Sequence, residues 1–179
     1  MARGRAIEGG ILVRPAETAD LPVLTGLSLQ FFAYLKATVA DEFWAGAEPA
    51  PDLAHRDFET ALAKDDLVLV ASLAGVPVGY LLGRIEPAYV RESAIAAMGY
   101  ISHCFVRDEA RGRGVATALA HAAEAWFQDR GINFIELRYS LANKAAAAVW
   151  AKLGYAPQRL TCRKSLRPAG NLQHEPRPP

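Results

Sequence analysis

The run from Val106 to Leu119, V-R-D-E-A-R-G-R-G-V-A-T-A-L, constrains this chain more than any other, because a glycine-rich turn joins a strand to a helix there. The apolar run before the turn predicts a strand. The apolar residues after it recur at the spacing of one helix face, at Val115, Leu119, Ala122 and Trp126. A helix N-terminus has unpaired N–H groups and the positive end of the dipole, and glycines let an anion approach. The turn therefore predicts a phosphate-sized anion site.

The residues of the turn exclude two other phosphate-binding motifs. A Walker turn would need Gly-Lys-Ser/Thr after a four-residue spacer, and a dinucleotide fold would need Gly-x-Gly-x-x-Gly near the first strand. Neither pattern is present. The remaining alternative is a surface helix whose neighbouring arginines are only solvated.

Two segments together carry a family resemblance. Residues 111–116, R-G-R-G-V-A, fit Arg/Gln-x-x-Gly-x-Gly/Ala, and residues 143–155 fit Asn-x-x-Ala-x-x-x-Tyr-x-x-x-Gly-Phe with Trp150 in the Tyr position and Tyr155 in the Phe position. The joint match is far more specific than the short turn alone. From roughly Ile11 to Leu166, the chain resembles the GCN5-related N-acetyltransferase (GNAT) family.

The order of predicted elements gives an α/β fold with a mixed sheet. Strands are predicted at Ile11–Arg14, on both sides of an Ala74-Gly75 hairpin turn, at about Met98–Val106, at Asn133–Tyr139 and at Tyr155–Leu166. A helix connects the fourth and fifth strands, so these should run parallel. The resemblance implies a twisted sheet of six to seven strands with flanking helices, in which strands four and five splay apart to admit a ligand.

Composition indicates one domain with two tails. A chain of 179 residues, 51% of them hydrophobic, suffices for one core. We expect an N-acetyltransferase domain at 11–166 between flexible tails at 1–10 and 167–179. The two cysteines and the lack of a leader or a membrane-length apolar run favour a cytoplasmic protein without membrane contact, and the net charge of +1 argues against nucleic acid as a partner.

The resemblance implies acetyl-CoA as the acetyl donor and no metal. It places the pyrophosphate on the glycine turn and the pantetheine arm along the strand before it, beside the helix that a later Asn begins. The implied coenzyme-binding residues are Phe105, Val106, Arg111, Gly112, Arg113, Gly114, Val115, Ala116, Asn143 and Trp150.

The candidate catalytic residues follow the family pattern less closely than the implied coenzyme-binding residues do. Tyr100 stands where several protein-acetylating members carry Glu, and a phenol of pKa about 10 suits substrate orientation better than proton abstraction. His103, with a reference pKa of about 6.5, is the better candidate base, although a lone His on an apolar strand is more often a packed wall residue. Trp150 replaces the usual Tyr acid and cannot transfer its indole proton, so water, the product ammonium or a phenol such as Tyr139 would protonate the thiolate.

The implied activity is transfer of the acetyl group to a primary amine of a small molecule or peptide, by direct attack in a ternary complex. The alternative is a catalytically inactive acetyl-CoA-binding regulatory or scaffold protein. One group of acids and aromatics suits a cationic acceptor: Asp41, Glu42, Phe43, Trp44, Glu48 and Asp52. The alternative is a solvated acidic loop with Phe43 and Trp44 packed in the core. A polyamine, an aminoglycoside-like amine, an amino acid and a peptide N-terminus all remain open. A homodimer is consistent with the resemblance.

Overall fold

The structure, a computed structural model, describes residues 5–7, 10–39 and 41–166. The strands are β1 (Arg5–Ile7), β2 (Ile11–Pro15), β3 (Leu67–Leu73), β4 (Val76–Pro87), β5 (Ala97–Val106) and β6 (Ile135–Leu137). The helices are α1 (Leu21–Val39), α2 (Glu42–Ala45), α3 (Pro51–Ala63), α4 (Val115–Gln128) and α5 (Lys144–Lys152). Short 3-10 turns lie at Thr18–Asp20 and Asp108–Ala110.

The six strands form one mixed sheet in the order β1-β2-β3-β4-β5-β6. Every neighbouring pair is antiparallel except β5 and β6, which run parallel through Gly99–Ile101 and Ile135–Leu137. The predicted mixed α/β sheet is thus confirmed, and its predicted fourth and fifth strands are β5 and β6. Their pairing covers only three residue pairs, so β5 continues to Val106 without β6 beside it.

The strand inventory differs from the prediction at both ends. β1 pairs with β2 inside the segment expected to be a tail. The final strand predicted at Tyr155–Leu166 is wrong, because residues 155–166 contain no helix or strand. Side-chain ion pairs attach this segment instead, Arg159 to Glu136 and Arg163 to Asp41. The expected C-terminal tail at 167–179 lies outside the described residues.

Local sequence signals explain the main junctions. The β3–β4 hairpin turns through Ala74 and Gly75, which both have positive φ, 50° and 81°, as a two-residue turn between twisted strands requires. Before α1, the Arg14 guanidinium makes two 2.7 Å hydrogen bonds to the Asp20 carboxylate, which also accepts from the Glu17 N–H at 2.8 Å. The side-chain hydrogen bond from Arg14 is the main reason that the pKa of Asp20 lies below its ordinary value.

The sheet separates two hydrophobic clusters. On one face α4 packs over β2 to β5, with Leu119 and Phe127 fully buried. On the other face α1 and α3 cover Tyr80, Phe58 and neighbouring side chains. The functional groups of β5 are therefore divided between an α4 face and an α1/α3 face, according to the direction of each side chain.

A β-bulge at Ser102 changes that direction partway along β5. His103 pairs with Leu82 and Ile101 pairs with Gly83, so Ser102 is an extra residue without a partner position on β4. The Ser102 hydroxyl donates to the Leu82 carbonyl over 3.1 Å. Because successive side chains of a strand alternate between faces, the extra residue reverses the alternation beyond the bulge.

No helix within residues 5–7, 10–39 and 41–166 combines the length and the apolar character that crossing a bilayer would need.

Candidate functional site

The glycine turn forms an open helix N-terminus, as the sequence predicted. Gly112 and Gly114 have φ of 73° and 87°, and Gly114 is the N-cap residue of α4 with no side chain capping the helix. A Cβ on Gly112 would meet no atom within 4 Å, and one on Gly114 would meet only Ile11 Cδ1 at 3.9 Å. Space above the turn and uncapped N–H groups together make a cradle for an anion.

The other turn residues divide between core and surface. Val115 is buried and Ala116 half-buried, so these two present their backbone N–H groups rather than their side chains to the cradle. Arg113 is exposed. Arg107 Nε is buried and has no hydrogen-bond partner among the described residues, so a guanidinium nitrogen beside the turn remains available to an acceptor such as a phosphate oxygen.

Arg111 is exposed but contacts three other residues. Its Nε donates to the Val106 carbonyl over 3.1 Å, and its Nη1 lies 2.8 Å from the Asp108 carboxylate. The guanidinium also stacks on the Tyr34 ring, 4.4 Å from the centroid. Arg111 thus ties the glycine turn to both β5 and α1.

The free edge of β5 exposes the backbone of alternate residues. The Arg107 N–H donates to the Val78 carbonyl at 2.8 Å, and the Phe105 carbonyl lies 2.6 Å from the position a Gly79 Cβ would take, so both point toward β4. Val106 must then point its backbone groups away from β4. Of the two strand residues predicted to meet the coenzyme through backbone, the geometry favours Val106 over Phe105, whose side chain is buried against α1.

Asn143 begins α5 and bridges to α1. It is only 6% exposed, and its Oδ1 accepts from the Ala146 N–H at 3.1 Å and from the Tyr34 hydroxyl at 3.0 Å. Its Nδ2 donates to no other described residue, so two N–H donors remain for a ligand. Trp150, on the same helix, is 7% exposed and lies edge-on to Tyr155, 5.1 Å between ring centroids, which is the position of a core residue.

Tyr100 and His103 lie on the same face of the sheet, because the Ser102 bulge intervenes. A Cβ on Gly99 would lie 2.8 Å from the Phe127 ring of α4, so Tyr100 next to it faces α1 and α3. His103 contacts the Phe31 ring of α1, 5.4 Å between centroids. Both predicted catalytic side chains are therefore on the side of the sheet opposite α4.

His103 is held in a mostly apolar environment. Its Nδ1 lies 3.2 Å from the hydroxyl of the fully buried Tyr80. Burial lowers the pKa of His103, an effect that the Asp57 carboxylate partly offsets and the Arg84 guanidinium reinforces. The imidazole is consequently neutral near pH 7, as a proton acceptor must be.

Two guanidinium groups flank Tyr100, an arrangement that the sequence did not predict. Arg84 lies 5.0 Å and Arg138 5.5 Å from the ring centroid. Arg84 is the register partner of Tyr100 across β4 and β5, and Arg138 follows the last residue of β6. Since the three come from β4, β5 and the residue after β6, only the pairing of the sheet could have shown their proximity.

Several side chains of the acidic and aromatic segment 41–48 already contact other parts of the chain. Asp41 accepts from Arg163 over 2.7 Å, and the same guanidinium covers the Phe43 ring at 4.2 Å. Lys36 lies 3.4 Å from Glu48, and Trp44 packs on Phe32, 5.4 Å between ring centroids.

No group of three or more His, Cys, Asp or Glu side chains is placed to hold a metal ion within the described part of the chain. Cys104 is half-buried on the α4 side, and desolvation of the thiolate raises the pKa of its thiol to about 12. This thiol is therefore protonated at neutral pH and a poor nucleophile.

Comparison with known proteins relates this geometry to acetyltransferases. The mycothiol acetyltransferase of Paenarthrobacter aurescens is 28% identical over 110 residues, which are 62% of this chain and 33% of that protein. An uncharacterised N-acetyltransferase of Methanocaldococcus jannaschii is 31% identical over 97 residues, 51% of this chain and 39% of that protein. The chain thus spans between a third and two fifths of the length of these curated relatives.

Among solved structures, the aminoglycoside N-acetyltransferase AAC(6')-Iy, in complex with the bisubstrate analogue CoA-S-monomethyl-acetylneamine, superposes with a TM-score of 0.70 at 23% identity, covering 88% of this chain and 98% of that one. The sequence model of the acetyltransferase (GNAT) family matches residues 33–155, well over half of the chain, including the glycine turn and Asn143. The chain therefore belongs to the GNAT acetyltransferase family.

Proposed function

We propose that this protein transfers the acetyl group of acetyl-CoA to a primary amine, by direct attack within a ternary complex. One observation carries the proposal: the uncapped N-terminus of α4 lies at the end of β5, where that strand's edge is unpaired. A long ligand with a phosphate at one end and amides along its length can bind both features together. The activated acetyl group that such a ligand delivers is the thioester of acetyl-CoA.

Coenzyme binding is assigned to the turn, the β5 edge and Asn143. The N–H groups from Gly112 to Ala116 would hold the pyrophosphate, with Arg107 Nε and the Arg113 guanidinium as further donors. Val106 would pair with an amide of the pantetheine arm once Arg111 releases its carbonyl. Asn143 would direct its Nδ2 donors to the same arm, while its Oδ1 stays bonded to Tyr34.

The amine must be neutral to attack the acetyl carbonyl carbon, and His103 is the group best placed to accept its proton. Its Nδ1 is occupied by the Tyr80 hydroxyl, so Nε2 would serve as the acceptor when the Nδ1–H donates to Tyr80. The lowered pKa keeps the imidazole neutral for this step. Tyr100, on the same face, would orient the amine through its hydroxyl.

Carbonyl addition places negative charge on oxygen, and the Val106 N–H is our candidate donor to it. A strand N–H held by the sheet needs no reorganisation during the reaction. When the C–S bond breaks, the thiolate takes a proton from water or from the positively charged nitrogen of the tetrahedral adduct, which becomes the neutral amide. Trp150 is a packed core residue with no acidic proton to supply.

The structural neighbour bound to an aminoglycoside-derived bisubstrate analogue supports a small-molecule amine as the acceptor class. The test is thiol release from acetyl-CoA with a broad panel of amines, beside calorimetric titration of acetyl-CoA alone. Amine-dependent release with acetyl-CoA binding would establish the transferase. Binding without release from any amine would favour the regulatory alternative, and absence of binding would overturn the assignment of the glycine turn.

A further inference from the structure

We propose that Arg138 binds a carboxylate of the acceptor, so that the acceptor is an amine that also carries a carboxylate, such as a free amino acid. This inference rests on the proposed acetyl transfer and specifies its substrate class. It starts from the two guanidinium groups beside Tyr100. Their Cζ atoms lie 5.0 Å (Arg84) and 5.5 Å (Arg138) from the centroid of the Tyr100 ring.

Charge pairing distinguishes the two arginines. Arg84 is neutralised by Glu86, with a nitrogen–oxygen distance of 2.6 Å. On β6, Glu136 is neutralised by Arg159, whose guanidinium also stacks on Tyr89 at 4.0 Å. Arg138 is exposed and has no acidic partner within residues 5–7, 10–39 and 41–166. One uncompensated positive charge therefore remains beside Tyr100.

A single free guanidinium matches one carboxylate in both charge and shape. Its planar fork can donate two parallel hydrogen bonds to the two carboxylate oxygens. A phosphate monoester, with about −1.5 to −2 charges at neutral pH, would need a further free cation, but Arg84 is already tied to Glu86.

The position of Arg138 suits an acceptor rather than the coenzyme. It follows directly on the last β6 residue paired with β5, Leu137, at the point where the two strands separate. Tyr100, its stacking partner, shares a face of β5 with His103. A molecule whose amine faces His103 can thus reach Arg138 past the Tyr100 ring.

The Asp41 and Phe43 side chains are not free to bind a cationic acceptor. The carboxylate of Asp41 and the face of Phe43, which could have bound an ammonium group, both already contact Arg163. An acceptor cation would have to displace that guanidinium, whereas a carboxylate at Arg138 would displace no ion pair among the described residues.

The test compares matched ligands, first without turnover. Binding of the common N-acetyl-L-amino acids and of their carboxamides to the CoA-saturated protein is measured by calorimetry. We expect at least one acid to bind about tenfold or more tightly than its amide. Arg138→Gln should abolish that preference, Arg138→Lys should restore part of it, and the affinity for CoA should stay unchanged. Arg130→Gln, which removes another guanidinium stacked on an aromatic ring, Trp126, is the matched control and should keep the preference.

Steady-state kinetics then compare the free amino acids with their amides, the decarboxylated amines and O-phosphoethanolamine. For Arg138→Gln we expect KM for the acids to rise about tenfold or more, with kcat within about threefold. Three results would overturn the carboxylate assignment. They are equal affinity for the acids and their amides, a preference for O-phosphoethanolamine over the amino acids, and an equal rise of KM for all amines in Arg138→Gln. Absence of turnover with a retained Arg138-dependent preference for acids would instead count against the proposed transfer alone, so the two failures are distinguishable.

Discussion

The Tyr34 hydroxyl donates a hydrogen bond to Asn143 Oδ1 over 3.0 Å, joining α1 to the start of α5 across 109 residues of sequence. The Tyr34 ring also supports the Arg111 guanidinium. One phenol thereby contacts both segments whose motifs make up the proposed coenzyme site. Helix α1 is consequently part of that proposed site.

Tyr34→Phe should therefore weaken acetyl-CoA binding as well as folding. Loss of the hydrogen bond to Asn143 costs about 1 kcal/mol of unfolding free energy, measurable by urea denaturation. Because the freed Asn143 amide can rotate away from the pantetheine arm, we expect severalfold weaker acetyl-CoA binding by calorimetry. Tyr89→Phe, at an exposed phenol, is the control, and equal affinity in both variants would contradict a role for Tyr34 in the cleft.

Gly114→Asp should abolish most coenzyme affinity through charge and crowding at the α4 N-terminus. A matched control exists at Gly131, beyond the other end of α4, where φ is 75° and a Cβ would meet no atom within 4 Å, against one contact at 3.9 Å for Gly114. Both Asp substitutions impose a left-handed backbone on a side chain at a cost of about 1–2 kcal/mol. Only Gly114→Asp should weaken acetyl-CoA binding, by about tenfold or more; similar losses at both sites would show a stability effect alone.

His103→Gln should remove the acidic limb of the pH–rate profile. Burial lowers the pKa of His103, so kcat/KM of the unmodified protein should rise with pH around a pKa below the ordinary value of about 6.5, and the variant should lose that dependence. The same shift predicts that the protein loses stability as pH falls below about 6.5, because the unfolded chain then binds a proton more readily than the folded one. An acidic limb unchanged in His103→Gln would remove this residue as the base.

Trp150→Phe should change stability more than rate. The indole is packed beside Tyr155 in the α4-side core, so the smaller ring should cost about 1–2 kcal/mol of unfolding free energy. Turnover at saturating substrates should remain within about threefold if the indole only packs. A large loss of kcat with unaltered denaturation would require a direct catalytic role for Trp150.

Asp20→Asn should destabilise the junction between β2 and α1. The carboxylate is 8% exposed and accepts from both Arg14 and Glu17, so its replacement should cost about 1.5–3 kcal/mol. Because the pKa of Asp20 is lowered, the contribution is complete above about pH 3.9 and is lost as the pH falls through the lower folded-state value. Acid denaturation should show this low-pH loss in the unmodified chain and a smaller one in Asp20→Asn.

The sequence predicted the parts of the molecule that local rules determine. Glycines at 112 and 114, the Asn143 cap and the Ala74-Gly75 hairpin each act within a few residues, and all five positions have the predicted local structure. The Tyr34–Asn143 bond and the Arg138–Tyr100 contact join distant segments, so no periodicity could reveal them. Tyr34 lies at helical spacing from Leu27 and Phe31 and resembles an ordinary core residue by pattern. The prediction of a strand at Tyr155–Leu166 was wrong because local sequence does not decide strand formation. A strand needs a neighbouring backbone to pair with, and this segment is attached by side chains.

Ser102 lengthens β5 without moving the pairing on either side of it. Ile101 pairs with Gly83 and His103 pairs with Leu82, and these two partners are consecutive residues of β4. A β5 strand without Ser102 could therefore keep both pairings and leave Tyr100 opposite Arg84. In the chain as it stands, strict alternation of residues would put positions 100 and 103 on opposite faces. The unpaired serine is what lets two side chains at an odd separation look out on the same side of the sheet.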